Sequence, residues 1–204
     1  MKNFEDLTVV IVTYRTDKNI LFKCIDSINN EIQIILVENG NDRTLKQEIE
    51  NRYKNVKVIL SEKNLGYGGG NNLGYEHNKT RYFFVSNPDT IYPKDFFNQI
   101  KNYINKDIEF SIIGASYPNH DNYLSYGGFS NESTEKLKVL DYNDDNLKRV
   151  DWVVGCSMLI DLHNLKTDHL FDENIFLYYE ENDLYLRSLR KNFKIYLIED
   201  SKII

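Results

Sequence analysis

With 204 residues and a formal net charge of −6, from 25 basic and 31 acidic side chains, the chain is too acidic to hold a nucleic-acid duplex, because non-specific binding depends on Lys and Arg neutralising phosphates. A hydrophobic share of 41% and a charged share of 27% fit one globular domain large enough to bury a core without covalent staples. The two cysteines, Cys24 and Cys156, sit in apolar runs and read as buried thiols of a reducing compartment; there is no signal-peptide core and no run as long as a membrane span, so the chain is expected in the cytoplasm.

The first half alternates strand and helix signals. Leu7 to Thr13 is a continuous β-branched run of the kind a strand buried on both faces shows. Asp17 can cap a following helix whose Leu21, Cys24, Ile25 and Ile28 fall at helical spacing. Ile32 to Glu38 predicts a second strand, Asp42 to Tyr53 a second helix, and Val56 to Leu60 a third strand. The glycine-rich segment 66–74 leads through a short helix to a fourth strand, Arg81 to Asn87. This alternation predicts right-handed crossovers, a mainly parallel sheet and a ligand site along the carboxyl edge of the strands.

The second half is less regular. Pro93 to Lys106 reads as a helix and Ile108 to Ala115 as a strand, while Tyr117 to Leu147 is polar, with a turn expected at Gly127-Gly128. Val150 to Ile160 reads as one core strand. A helix starting near Glu180 carries Leu184, Leu186 and Leu189, and Lys194 to Ile198 makes a last strand.

Five places offer chemistry, four of them where a parallel strand ends. After the first strand, Thr13 and Tyr14 offer backbone groups and a ring to a nucleobase, although a Tyr there is equally a packing residue. Glu38, followed by Asn39, ends the second strand; its carboxylate can accept the imide N–H of uracil or thymine, and otherwise it is a solvated turn acid. In Asn64 to Gly74, glycines such as Gly66 and Gly70 would let backbone approach a ligand, and N–H groups near Asn71 would meet a diphosphate. The segment lacks the Gly-Lys-Ser/Thr of a P-loop and the downstream acid of a dinucleotide fold, and its plainer reading is a flexible loop. Ser86-Asn87-Pro88-Asp89-Thr90 places a carboxylate after an apolar strand, suited to a hard cation, in residue types that also form a simple turn. In Tyr179-Glu180-Glu181-Asn182-Asp183, three acids offer a general base, or a helix start favoured by its acids with Asp183 paired to Arg187.

In this order and spacing, the five places resemble family 2 glycosyltransferases, in particular their bacterial rhamnosyltransferase branch. The likeness spans Val9 to about Ile198 and is most specific in Asn64 to Gly74, in Asn87-Pro88-Asp89-Thr90, in Trp152-Val153-Val154-Gly155-Cys156-Ser157-Met158-Leu159, and in Phe171-Asp172-Glu173 followed by Tyr178 to Leu184. The resemblance implies a GT-A fold: a Rossmann-like, mainly parallel sheet flanked by helices in one domain, with a nucleotide-binding half over about 1–115 and an acceptor half over about 116–204. It implies Asp89 as ligand of Mg²⁺ or Mn²⁺, and Glu181 as the base among Glu180, Glu181 and Asp183. It also assigns Thr13, Tyr14, Glu38, Asn39, Asn64, Gly66, Gly70, Asn71, Asn87, Trp152 and Gly155 to the nucleotide sugar. Glu38 and Glu181 each stand where the family commonly has Asp.

The implied reaction is inverting transfer from a dTDP-rhamnose-like or UDP-sugar donor to a saccharide or lipid-linked saccharide acceptor in surface polysaccharide synthesis. No nucleic acid takes part, and peripheral contact with the inner membrane face stays open. Relatives commonly follow the last strand with a metal-contacting His, whereas this chain stops at Ile204, which implies a short protein or a fragment. His77, His120, His163 and His169 read as surface or turn residues. A nucleotidyltransferase would carry a glycine-rich basic loop where Tyr14-Arg15-Thr16-Asp17 stands; a non-catalytic nucleotide-sugar-binding module is the reading from another class.

Overall fold

The computed structural model describes residues 4–106, 108–118, 124–125, 127–128, 146–165, 167, 169–191, 194–201 and 203–204. In chain order the elements begin with β1 (Leu7–Thr13), α1 (Lys18–Ser27), β2 (Gln33–Glu38), α2 (Arg43–Arg52), β3 (Val56–Leu60), α3 (Gly66–Glu76), β4 (Tyr82–Ser86), α4 (Phe96–Asn105) and β5 (Ile112–Ala115). They continue with β6 (Tyr117–Pro118), β7 (Leu124–Ser125), β8 (Gly127–Gly128), β9 (Leu147–Val150), β10 (Trp152–Val153), β11 (Ser157–Asp161), α5 (Leu162–Leu165), α6 (Glu180–Arg190) and β12 (Ile195–Ile198).

Among the described residues, eight strands form one sheet in the order β3-β2-β1-β4-β11-β5-β12-β9. The first four are mutually parallel, with Val9 registered against Ile34 on one side and Phe84 on the other. β11 runs antiparallel to β4 and β5, and β9 antiparallel to β12. Alternate residues of β1 point to opposite faces, as the period of a strand requires. Val9 and Ile11 join Leu21, Cys24, Leu45, Ile49, Phe96 and Phe97 in one core. Val10 and Val12 join Phe171, Leu184 and Tyr185 in the other. Helices α1, α2 and α4 thus cover one face, and α3 and α6 the other.

The cap expected at Asp17 forms, and Asp42 caps the second helix in the same way. Asp17 accepts from the amides of Asn19 (2.8 Å) and Ile20 (3.2 Å) at the start of α1, and Asp42 accepts from Leu45 N (2.9 Å) at the start of α2.

Three expectations need correcting. The glycine-rich segment does not lead to a helix; it is the helix, α3, despite glycine's poor propensity. A Cβ on Gly70 would stand 2.6 Å from Val12 Cγ1 and one on Gly74 2.5 Å from Val10 Cγ1, so the glycines let the helix lie against β1. The single strand over Val150 to Ile160 is three pieces, β9, β10 and β11, which pair with β12, with β8, and with β4 and β5 respectively. Gly127-Gly128 is a strand pair with β10 rather than a turn. Of the leucines that α6 carries, Leu186 is 55% exposed and Leu184 is fully buried. His120 and residues 119–123 and 129–145 of the polar excursion lie outside the described residues.

Replacing Gly74 by Ala therefore sets helix propensity against packing. Alanine gains about 1 kcal/mol of intrinsic helix preference, but its methyl overlaps the stiff side chain of Val10. Overpacking of about 1–3 kcal/mol is expected to win, lowering the urea midpoint; a raised midpoint would show that α3 is free to move off the sheet.

Candidate active site

Because β1 to β4 are parallel, their carboxyl ends share one edge, and the loops leaving it are laced to one another. Thr13 is buried, its carbonyl accepts from Asn39 N (2.8 Å), and Ser61 N donates to Glu38 O (3.0 Å). Glu38 itself is 2% exposed, with Oε1 accepting from Gly40 N (2.9 Å) and Oε2 from Asp42 N (2.5 Å). Its carboxylate thus ties down the loop before α2, with one amide on each oxygen. Asn39 is also buried; Nδ2 donates to Gly66 O (3.0 Å) and Oδ1 has no hydrogen-bond partner. Tyr14 is the exposed member of this edge, with the Arg15 guanidinium 5.1 Å from its ring centroid.

At the start of α3, Asn64 Oδ1 accepts from Gly66 N (3.0 Å). Gly66 has φ +74°, and a Cβ there would fall 1.9 Å from Phe176 O, so this position tolerates only glycine. Tyr67 N donates to the same carbonyl (3.2 Å). On the side where a Cβ would point, Gly66 meets the Phe176 carbonyl and Gly70 meets Val12, and Asn71 is fully buried. Asn72 was missed by the sequence reading. Its Nδ2 donates to Phe171 O (2.8 Å), and its Oδ1 accepts from Leu170 N (3.2 Å) and Phe171 N (3.0 Å), clamping the approach to α6 onto α3. The signal was an amide among glycines, legible only as a helix-forming defect.

A cleft of about 260 Å³ opens at the end of β4, lined by Tyr67, Asn87, Val154, Gly155, Cys156, Leu177, Tyr178, Glu180 and Glu181. The chain at 154–156 leaves the sheet there. Tyr67 Oη donates to Gly155 O (2.5 Å), and Asn87 N donates to Cys156 O (3.0 Å). Asp89 is exposed two residues beyond Asn87. Burial pushes the Cys156 thiol up to about 12, and the charges of Asp89 and Glu181 push the same way. Cys24 is likewise raised to about 12, mainly by burial, so both thiols are inert as nucleophiles.

The donor set at Asp89 was tested against a divalent cation. Among the described residues no three His, Cys, Asp or Glu side chains gather to cage a metal. A lone exposed carboxylate fits Mg²⁺ or Mn²⁺ in the manner of ions that complete their oxygen shell with phosphates and water. The described histidines, His77, His163 and His169, are all exposed.

The three acids of α6 separate by environment. Tyr178 (φ 67°) and Tyr179 (φ 71°) both adopt the left-handed region, at 73% and 72% exposure, and turn the chain into the helix. Glu180 then points inward: it is 2% exposed, Oε2 lacks a partner, and burial raises its pKa. Glu181 lines the cleft, where a Cβ on Gly155 would lie 3.7 Å from its Cδ. Asp183 is removed from the chemistry by Arg187 (2.7 Å), whose Nη2 also holds Leu170 O (2.5 Å). Trp152 is not on this cleft either; it lines a second cavity with Asn182, Tyr185 and Leu186. Tyr67, Cys156, Leu177 and Tyr178 are cleft residues that the sequence reading did not assign.

The parallel half-sheet with its laced carboxyl edge, the antiparallel β11 and the acid-bearing α6 define a GT-A-type glycosyltransferase domain. The chain belongs to glycosyl transferase family 2, whose family model matches residues 8–160. The low-salt glycan biosynthesis hexosyltransferase Agl10 of Haloferax volcanii is 26% identical over 200 residues, covering 94% of this chain and 64% of its own length, so the chain spans less than two thirds of that relative. Solved structures sharing the fold include GalNAc-T7 with UDP, GalNAc and Mn²⁺, at TM-score 0.76 and 14% identity over 100% of this chain and 44% of the other. Residues 1–349 of Staphylococcus aureus TarS in complex with UDP-GlcNAc align at TM-score 0.68 and 13% identity over 97% and 57%. Among the described residues no helix is long and apolar enough to cross a membrane.

Burial of Glu180 has a pH signature. Its folded-state pKa lies above the ordinary value of 4.5, so the penalty on its charge is absent well below that value and grows as pH rises through it toward the raised folded pKa. Glu180→Gln should be more stable than wild type at neutral pH, by about 1.4 kcal/mol for each unit of upward shift, with the gap closing in acid. Denaturation midpoints across pH 3–8 read this directly, and a pH-independent gap would assign the effect to packing instead.

Proposed function

We propose that this domain moves a sugar from a nucleoside-diphosphate sugar to an acceptor hydroxyl, with inversion and with the help of a divalent cation. The observation that carries the reading is a cleft at the end of β4 that brings Glu181, at the start of α6, together with Asn87, two residues before the exposed carboxylate of Asp89. Asp89 would hold Mg²⁺ or Mn²⁺, which when bound supplies positive charge against a departing diphosphate. Tyr14 and Thr13 meet the base at the carboxyl edge, and Asn87 and the 154–156 backbone border the sugar. Glu181 accepts the proton of the acceptor hydroxyl, and the freed oxygen attacks the anomeric carbon opposite the leaving group, so a single displacement inverts the centre.

The donor is a UDP-sugar or a dTDP-rhamnose-like sugar. UDP in the GalNAc-T7 structure and UDP-GlcNAc in the TarS structure favour the first. The hexosyltransferase named for glycan biosynthesis supports a saccharide or lipid-linked saccharide acceptor, handled in the cytoplasm or at the inner membrane face.

Two substitutions test the roles. Glu181→Gln should lower turnover by about 10²–10⁴ while donor affinity is kept; near-normal turnover would return the base to a neighbouring acid. Asp89→Ala should abolish the metal dependence of UDP binding measured by calorimetry, and unchanged binding would remove the metal from Asp89. Nucleotide binding without any turnover would make the domain a binding module.

A further inference from the structure

The strongest unexplained feature is the outer face of α6. Leu184, Tyr185 and Ser188 turn into the core, which satisfies the helix's packing, yet Leu186 remains 55% exposed. Across from it stands Trp152, the chain's single tryptophan, at 37% exposure. Together with Leu189, Tyr185, Asn182 and Asp151 they line a cavity of about 540 Å³, larger than the catalytic cleft and predominantly apolar. A helix that has already buried one apolar stripe has no folding reason to keep a second, and an apolar concavity of this volume has the form of a small-molecule site.

The position of the cavity says what it binds. It shares both of its walls with the cleft: α6 contributes Glu181 to the cleft and the adjacent Asn182 to the cavity, while the segment after β9 contributes Trp152 to the cavity and Gly155 to the cleft. Three residues of chain span at most about 10 Å, which is within reach of a short saccharide whose reacting hydroxyl lies at Glu181. Leucines and the indole face offer no charge to a nucleotide, and its volume falls in the range of small-molecule sites.

We propose that this cavity takes a hydrocarbon aglycone, the apolar group to which the acceptor sugar is attached; as an acceptor subsite it rests on the glycosyl-transfer reading. Trp152 and Leu186 then discriminate between acceptors by their aglycone and leave the donor alone.

The test uses the whole chain and titrates n-octyl β-D-glucoside, kept below its micelle threshold, against methyl β-D-glucoside, with UDP and Mn²⁺ titrated separately. The octyl compound should bind at least about tenfold more tightly. Leu186→Asp, a change at an exposed position, should erase most of that preference while UDP affinity stays at the wild-type value, and Trp152→Ala should reduce it in the same direction. Equal affinity for the two glucosides, or an octyl preference undiminished in both variants, would overturn the proposal. So would Leu186-dependent binding to phosphatidylglycerol vesicles without any octyl preference, which would make the face a membrane contact. Absence of UDP binding with the octyl preference intact would instead sink the glycosyl-transfer reading and leave the apolar site standing.

Discussion

Close approach of α3 to β1 is the constraint on which the rest of the molecule is arranged. Gly70 and Gly74 bring the helix onto Val12 and Val10, and Gly68 leaves space for Phe171 at its other side, where a Cβ would sit 3.0 Å from Phe171 Cβ. A helix held this near the sheet puts Gly66 O within reach of Asn39 and Tyr67 Oη within reach of Gly155. Through Asn72 it also fixes residues 170–171, from which the chain proceeds to α6. A glycine-rich helix has little intrinsic stability; here tertiary contact supplies what propensity does not, and the same contacts set the distance between the strand ends and the acidic helix.

Strain at the entrance to α6 assigns roles to its acids. Two successive tyrosines in the left-handed region cost about 1–2 kcal/mol each, and both rings are left largely in solvent. The turn they make brings Glu180 and Glu181 to the cleft, the first buried and the second partly exposed, while one helical turn further on Asp183 meets Arg187. Three neighbouring carboxylates thereby acquire three environments, which is how chemically identical groups come to do different work. The buried, half-satisfied Glu180 opposes stability, a pattern expected where a site is organised for chemistry and not for rigidity.

Electrostatics and apolar packing divide the surface around the cleft. On one side the cleft is lined by Glu180 and Glu181 beside Asn87 and Cys156. On the other side of α6 the lining is tryptophan and leucine. The helix is therefore a partition, with an ionisable face toward the reacting groups and an apolar face toward a second cavity.

The sequence by itself determined the early alternation of strands and helices. β1, β3, the Asp17 cap and the cores of β2 and β4 follow from local patterns: β-branched runs, helical spacing and an acid ahead of a helix. It also indicated the carboxyl edge as the site and the Asp183–Arg187 pair, since parallel topology and i, i+4 spacing are properties of the chain's own periodicity. What only the tertiary structure decided were facts about non-local partners. Residues 150–160 look like one strand, but they divide because β12, β8 and β4 each claim a different part. The glycines look like a ligand cradle until Val10, Val12 and the Phe176 carbonyl are seen to occupy their space. The amides of Gly40 and Asp42 that hold Glu38 are invisible in its residue type, and Trp152 and Leu186 meet at one cavity only because β10 is folded against α6. A side chain's type is local, but its free lone pairs and its exposed face depend on which distant atoms arrive beside it.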